Sequence, residues 1–238
     1  MQFLLFIFFL SPDSLLPLPG NFLNFEIAEG FIYLYESNNK KIIRMDNQNN
    51  PSAFSIDMIN ERINVFKLTP FFIYLGSPEG IFRLSINSGM IESIYRGYIN
   101  SFTITDAEEL IIADKQKKEI LFLDYQNKIK WRLTGYNALD IGYYGGRIYL
   151  LTRKDIQVID EYGNIIEKIK IPNKVEKVNV DEYIYLFKPN ERVIYKWDGF
   201  WKEIFLQHPI ADFKISKNNI LVLNQYGDTI YFYDKSDF

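Results

Sequence analysis

Six times along this chain the same short pattern returns, and a repeat of that kind constrains the fold more than composition can. The clearest copy runs Leu139-Asp140-Ile141-Gly142, Gly146-Arg147-Ile148-Tyr149-Leu150-Leu151, Ile156-Gln157-Val158-Ile159-Asp160 and Gly163-Asn164-Ile165-Ile166. It reads as four short strands with turn residues between them. With Leu139-Asp140-Ile141 as a ruler, the counterparts are Phe25-Glu26-Ile27, Phe66-Lys67-Leu68, Phe102-Thr103-Ile104, Glu176-Lys177-Val178 and Phe213-Lys214-Ile215. Their last residues are 41, 36, 37, 37 and 37 positions apart. A second ruler, Ile148-Tyr149-Leu150, recurs a few residues on in every unit, from Ile32-Tyr33-Leu34 to Leu221-Val222-Leu223. A third ends the third strand of most units with an aspartate: Asp46, Asp124, Asp160, Asp198 and Asp234, with Ser85 in the second unit. Such residues close turns by accepting from the backbone two residues on.

The units are built from runs of Ile, Val, Tyr and Phe, the composition of strands, and show no sustained helical period. A period near 40 residues with four strands is that of a propeller blade. The expected fold is therefore all-β: one six-bladed β-propeller of four-stranded antiparallel blades. The fourth unit, Gly146 to Leu150 followed by Ile156 to Asp160 and Gly163-Asn164, resembles an NHL-type repeat of the TolB-like six-bladed propellers. That resemblance implies architecture over roughly residues 25–238. It carries no catalytic residue across, because its group includes binding scaffolds and metal-dependent lactonases alike.

The last unit ends almost at its third strand, Thr229 to Tyr233, so its fourth strand must come from elsewhere. The expected source is the N-terminus: residues within Leu15–Leu23 close the ring as the outer strand of the last blade and cover an edge prone to aggregation. Before them, residues 1–14 carry the apolar run Phe3 to Leu10, too short for a bilayer span of about 20 residues. It reads as a secretory leader on a domain spanning 15–238, hence an exported protein. No lysine or arginine precedes the run, and the alternatives are a membrane-tethered N-terminus or a buried strand.

Net charge is −3, without the basic footprint that phosphate contacts require, so no nucleic-acid partner is expected. Cysteine is absent, which excludes disulfides and thiolate metal sites. No phosphate loop, dinucleotide glycine fingerprint, zinc-protease motif or nucleophile elbow is present, and no cofactor is implied. The single histidine, His208, lies in a connection between blades.

Two residue sets could still carry function. Loops from each outer strand to the next inner strand surround one mouth of a propeller tunnel, and rigidly held loops are where binding is usually placed. They contribute Glu61, Arg62, Arg96, Tyr98, Tyr136, Asn137, Asn173 and His208. The middle residues of the first ruler, Glu26, Lys67, Thr103, Asp140, Lys177 and Lys214, should line the tunnel. A calcium site wants converging carboxylates, and three lysines in that ring argue against it. The expectation is a non-enzymatic module that engages a protein or other polymer through one face. The alternative is a lactonase-like or other hydrolase with a divalent metal at the tunnel mouth. A third reading, carbohydrate binding, would need Trp197, Trp201 or the loop tyrosines as an accessible platform.

Overall fold

The computed structural model of the protein describes residues 10–46, 48, 50–172 and 174–238. Most of the leader reading, residues 1–9, lies outside the described residues, as does Asn173. The first strand, β1 (Ser14–Pro17), precedes five blades of consecutive strands. Blade 1 holds β2 (Phe25–Ala28), β3 (Phe31–Glu36), β4 (Lys41–Met45) and β5 (Pro51–Ser55); blade 2 holds β6 (Val65–Leu68), β7 (Phe72–Ser77), β8 (Gly80–Ser85) and β9 (Ile91–Arg96). Blade 3 holds β10 (Ile99–Ile104), β11 (Leu110–Asp114), β12 (Glu119–Leu123) and β13 (Ile129–Thr134). Blade 4 holds β14 (Asp140–Tyr144), β15 (Arg147–Leu151), β16 (Asp155–Ile159) and β17 (Ile165–Lys170). Blade 5 holds β18 (Lys177–Val180), β19 (Ile184–Phe187), β20 (Val193–Trp197) and β21 (Trp201–Phe205). Blade 6 adds β22 (Ile210–Ile215), β23 (Asn219–Asn224) and β24 (Thr229–Asp234).

Each sheet is a four-stranded antiparallel meander, and the sixth is completed by β1 in the order β1-β24-β23-β22. The pairing runs from Ser14↔Phe232 to Pro17↔Thr229. The N-terminal closure expected from the truncated last unit is therefore present. It begins one residue before the span named from sequence and uses only its first part. The clasp extends beyond the strand: Asp13 N–H donates to Phe232 O at 2.8 Å, and Asp234 N–H donates to the Asp13 carboxylate at 2.7 Å. Leu10 reaches the neighbouring blade, its N–H donating to Phe205 O at 2.7 Å.

The core is distributed among the blade interfaces. One apolar cluster lies between each neighbouring pair, such as Tyr185, Phe187 and Ile194 against Phe213, Val222 and Tyr233 between blades 5 and 6. Aromatic pairs fill these seams edge-on; the Phe187 and Phe213 rings lie 4.9 Å apart, the geometry their quadrupoles prefer. The third ruler does what turn chemistry requires. The Asp46, Asp124 and Asp160 carboxylates each accept from backbone N–H groups two and four residues on, and Asp234 accepts from Ser236 N–H.

Candidate functional site: a charged cavity on the propeller axis

Polar residues beside the axis first hold the blades together. The Asn24 amide donates to Asn64 O, and that of Asn64 donates to Ile99 O. Asn100 donates to the Ala138 and Leu139 carbonyls at 2.7 and 2.8 Å. Ser101 Oγ accepts from Ile141 N–H, Asp140 accepts from Val178 N–H at 2.9 Å, and Asp212 accepts from Phe25 N–H at 3.5 Å. Asn179 donates to Phe213 O at 2.7 Å. Every one of the six blade junctions is thus bridged near the axis by a side chain in or just before one inner strand and the backbone in or just before its neighbour.

This ring also aligns the units. Phe25, Ile141 and Val178 each present a backbone N–H to a side chain of the preceding blade, so they are equivalent positions. The sequence ruler is therefore two residues early in units four and five: Asp140 and Lys177 precede the buried residue, whereas Glu26, Lys67, Thr103 and Lys214 follow it. A two-residue slip preserves the alternation of a strand, so it leaves no mark in the hydrophobic pattern.

Inside the ring lies a cavity of about 990 Å³, open on the face that carries the connections between blades. Its deep end is ionic. Lys214 Nζ sits 3.1 Å from both Glu26 and Asp212, and Lys67 Nζ sits 2.8 Å from Glu26. Burial alone would raise the Glu26 pKa, but Lys214 and Lys67 outweigh it and hold the carboxyl below its usual range. Burial pushes Asp212 up, only partly countered by Lys214 and reinforced by Glu26. For Lys214, burial acts downward, and the Asp212 and Glu26 charges override it to raise the ammonium pKa. Higher up, Asp140 is held by the Ser101 hydroxyl as well as by Val178 N–H. Among the described residues no group of three or more His, Cys, Asp or Glu could hold a metal ion.

The upper wall has a different balance. Arg62, Arg153, Lys174 and Lys177 line it together with two carboxylates, Glu176 and the already bonded Asp140. Across the whole lining, six cationic side chains (Arg62, Lys67, Arg153, Lys174, Lys177, Lys214) face four carboxylates (Glu26, Asp140, Glu176, Asp212). The cavity therefore carries an excess of positive charge in a chain of net charge −3.

Of the six residues expected to line the tunnel, Glu26, Lys67, Asp140, Lys177 and Lys214 do so. Thr103 does not: it is buried and too short to reach the cavity from the level where Lys67 and Lys214 reach it. Of the expected mouth residues that are described, only Arg62 lines the cavity. Glu61, Arg96, Tyr98 and Asn137 are exposed on the surrounding loops, and Tyr136 leans on the seam between blades 3 and 4. His208 stacks on Tyr231 with ring centroids 4.5 Å apart. Sequence reasoning missed Arg153, Lys174, Glu176 and Asp212. Arg153 sits in the β15–β16 turn, and in an antiparallel meander the second-to-third-strand turn lies at the same end as the connection into the first strand, so its position was the available signal. Trp197 and Trp201 pack against each other at 5.0 Å, and the Trp201 indole donates to Lys170 O at 2.8 Å. They wall a shallow groove at the seam of blades 4 and 5 instead of presenting a free platform.

No helix among the described residues is long and apolar enough to cross a membrane. No protein-family model matches the chain, and no curated protein matches it by sequence. Among solved structures, a catalytically inactive histidine-to-alanine variant of virginiamycin B lyase from Staphylococcus aureus, with quinupristin, is similar with a TM-score of 0.69. The identity is 13%, over 88% of this chain and 79% of that one. The WD40 domain of Neurospora crassa Pan2 gives 0.64 at 11% identity, over 90% of this chain and 75% of that one. PorZ, a bacterial surface component of the type-IX secretion system of Porphyromonas gingivalis, gives 0.63 at 14% identity, over 89% of this chain and 30% of that one. At such identities the likeness is one of fold, and the fold is a β-propeller.

Proposed function

We propose that the protein is a non-catalytic binding or assembly module, exported, that engages a protein or other polymer through the cavity-bearing face of the disc. The observation that carries this reading is the division of labour among the ionisable groups. Those deep in the cavity neutralise one another, and the polar residues at the inner strands are spent on joining blades. What remains available is a rim of exposed Arg, Tyr and Asn side chains, types favoured at interfaces. A nucleophile paired with a base is the usual mark of covalent or acid–base catalysis, and the cavity lining supplies lysines paired with carboxylates. In virginiamycin B lyase a histidine-to-alanine variant is catalytically inactive; here the single histidine stacks on Tyr231, outside the cavity lining. The WD40 domain among the similar structures supports the module reading, and the apolar run Phe3 to Leu10 supports export.

The test compares the two faces. Variants Arg96→Ala/Tyr98→Ala on the cavity face and Phe71→Ala/Tyr162→Ala on the opposite face, all exposed positions, are immobilised and exposed to a cell-envelope extract. A polymer retained by the parent protein and by the opposite-face variant, but lost by the cavity-face variant, is the expected result. Retention that depends on the opposite face would overturn the reading, as would turnover of ester or lactone substrates by the parent protein.

A further inference from the structure

Resting on the module reading, the structure assigns the cavity mouth a ligand chemistry: we propose that it receives an acidic peptide segment, whose carboxylates meet Arg62, Arg153 and Lys177. These three side chains line the cavity, and none makes a hydrogen bond or ion pair among the described residues. Lys177 is half-buried and acts on Asp212 only through space. Among the described residues no carboxylate lies within ion-pair distance of this partly desolvated ammonium, and an incoming carboxylate would supply one. The guanidinium forks of Arg62 and Arg153 suit the same planar group bidentately.

The placement of the three selects among anions. Arg62 lies between blades 1 and 2, Arg153 in the β15–β16 turn of blade 4, and Lys177 on β18 of blade 5. In a ring of six, the junction of blades 1 and 2 lies nearly across from blade 4, so Arg62 and Arg153 approach the mouth from different sides. One phosphate or one small carboxylate cannot pair with both. A flexible chain bearing several carboxylates can, and the mouth is wide enough for one: about 990 Å³ is at the upper end of ligand-pocket size. Between the cations the rim offers Asn190 and Gln225, whose side-chain amides make no hydrogen bond among the described residues and can pair with a peptide backbone. Below them, the neutralised cluster of Glu26, Lys67, Asp212 and Lys214 closes the floor and gives the ligand no further charge to reach for.

The test is fluorescence anisotropy with a labelled oligoglutamate peptide at low salt, against the matched oligoglutamine peptide and a single-stranded oligonucleotide. The expected result is binding of oligoglutamate alone, weakening with added salt. The Arg62→Glu/Arg153→Glu double variant should lose affinity by about tenfold or more, and Lys177→Met by several-fold, with melting temperatures unchanged for the exposed arginine pair. Equal binding of oligoglutamine, preference for the oligonucleotide, or indifference to the double variant would overturn the proposal. A protein that retains a polymer through its cavity face yet ignores oligoglutamate also overturns it, while leaving the module reading intact.

Discussion

Asp140 shows how a charge beside an axis can serve the scaffold before any ligand. Its carboxylate takes the Ser101 hydroxyl on one side and Val178 N–H on the other, tying blades 3, 4 and 5 together. Asp140→Ala strands two buried donors, each costing about 1–3 kcal/mol, which in a domain of this size lowers the melting temperature by roughly 2–4 °C per kcal/mol. A thermal melt checks this, and an unchanged melt would mean the bridges contribute nothing. Lys214 makes the complementary case. Lys214→Met leaves Glu26 and Asp212 buried with less compensation, an expected loss of about 3 kcal/mol that Lys214→Met/Asp212→Asn should partly restore. The pH dependence follows from the raised pKa of the ammonium. Its stabilisation is complete below the ordinary lysine value of 10.5 and fades as pH rises past it. Tyr185 and Tyr233, whose phenols burial holds above the usual range, act in the same direction above pH 10. Urea midpoints should therefore fall above about pH 10, and less steeply in Lys214→Met than in the parent protein. From sequence these residues were recognisable as axial and charged. Most of their partners were not: Ser101 and Val178 lie 39 and 38 residues from Asp140 on neighbouring blades, and Glu26 meets Lys214 only where the ring closes.

At the scale of elements, β1 is the part on which closure depends. Without it β24 becomes an open edge, and the Leu16 side chain leaves the seam between blades 6 and 1. A variant beginning at Leu18 should melt several degrees lower and aggregate at concentrations the parent tolerates; coincident melts and clear solutions would contradict this. Gly227 is the tightest point of the same closure. Its φ is +72°, its carbonyl accepts from Phe22 N–H at 2.8 Å, and a Cβ there would fall 2.0 Å from Phe22 O. Gly227→Ala is expected to cost more than about 1 kcal/mol in urea unfolding. The truncated last unit announced the missing strand, and the clasp was legible for that reason. The two-residue slip of the ruler was not, because a strand repeats its facing every second residue and Leu139 and Ile141 are equally apolar. Only the inter-blade bonds of Ile141 and Val178 reveal which of the two is equivalent to Phe25.

For the molecule as a whole, binding at the mouth should be governed by charge. Partner association through the cavity face is expected to slow as salt rises, while an interaction on the opposite face, where Phe71, Tyr125 and Tyr162 stand exposed, should respond little; association rates at two ionic strengths separate them. By itself the sequence determined the architecture: six units, four strands in each, and a ring completed by the N-terminus. It could do so because each blade is local in the chain and its strand pattern repeats. The tertiary structure decided which charges are spent and which are available. Glu26, Lys67, Asp212 and Lys214 cancel in one cluster, while Arg62, Arg153 and Lys177 line the cavity without an ion pair among the described residues. That sorting depends on which side chains from separate blades meet at the axis, a matter of long-range geometry that no local pattern encodes.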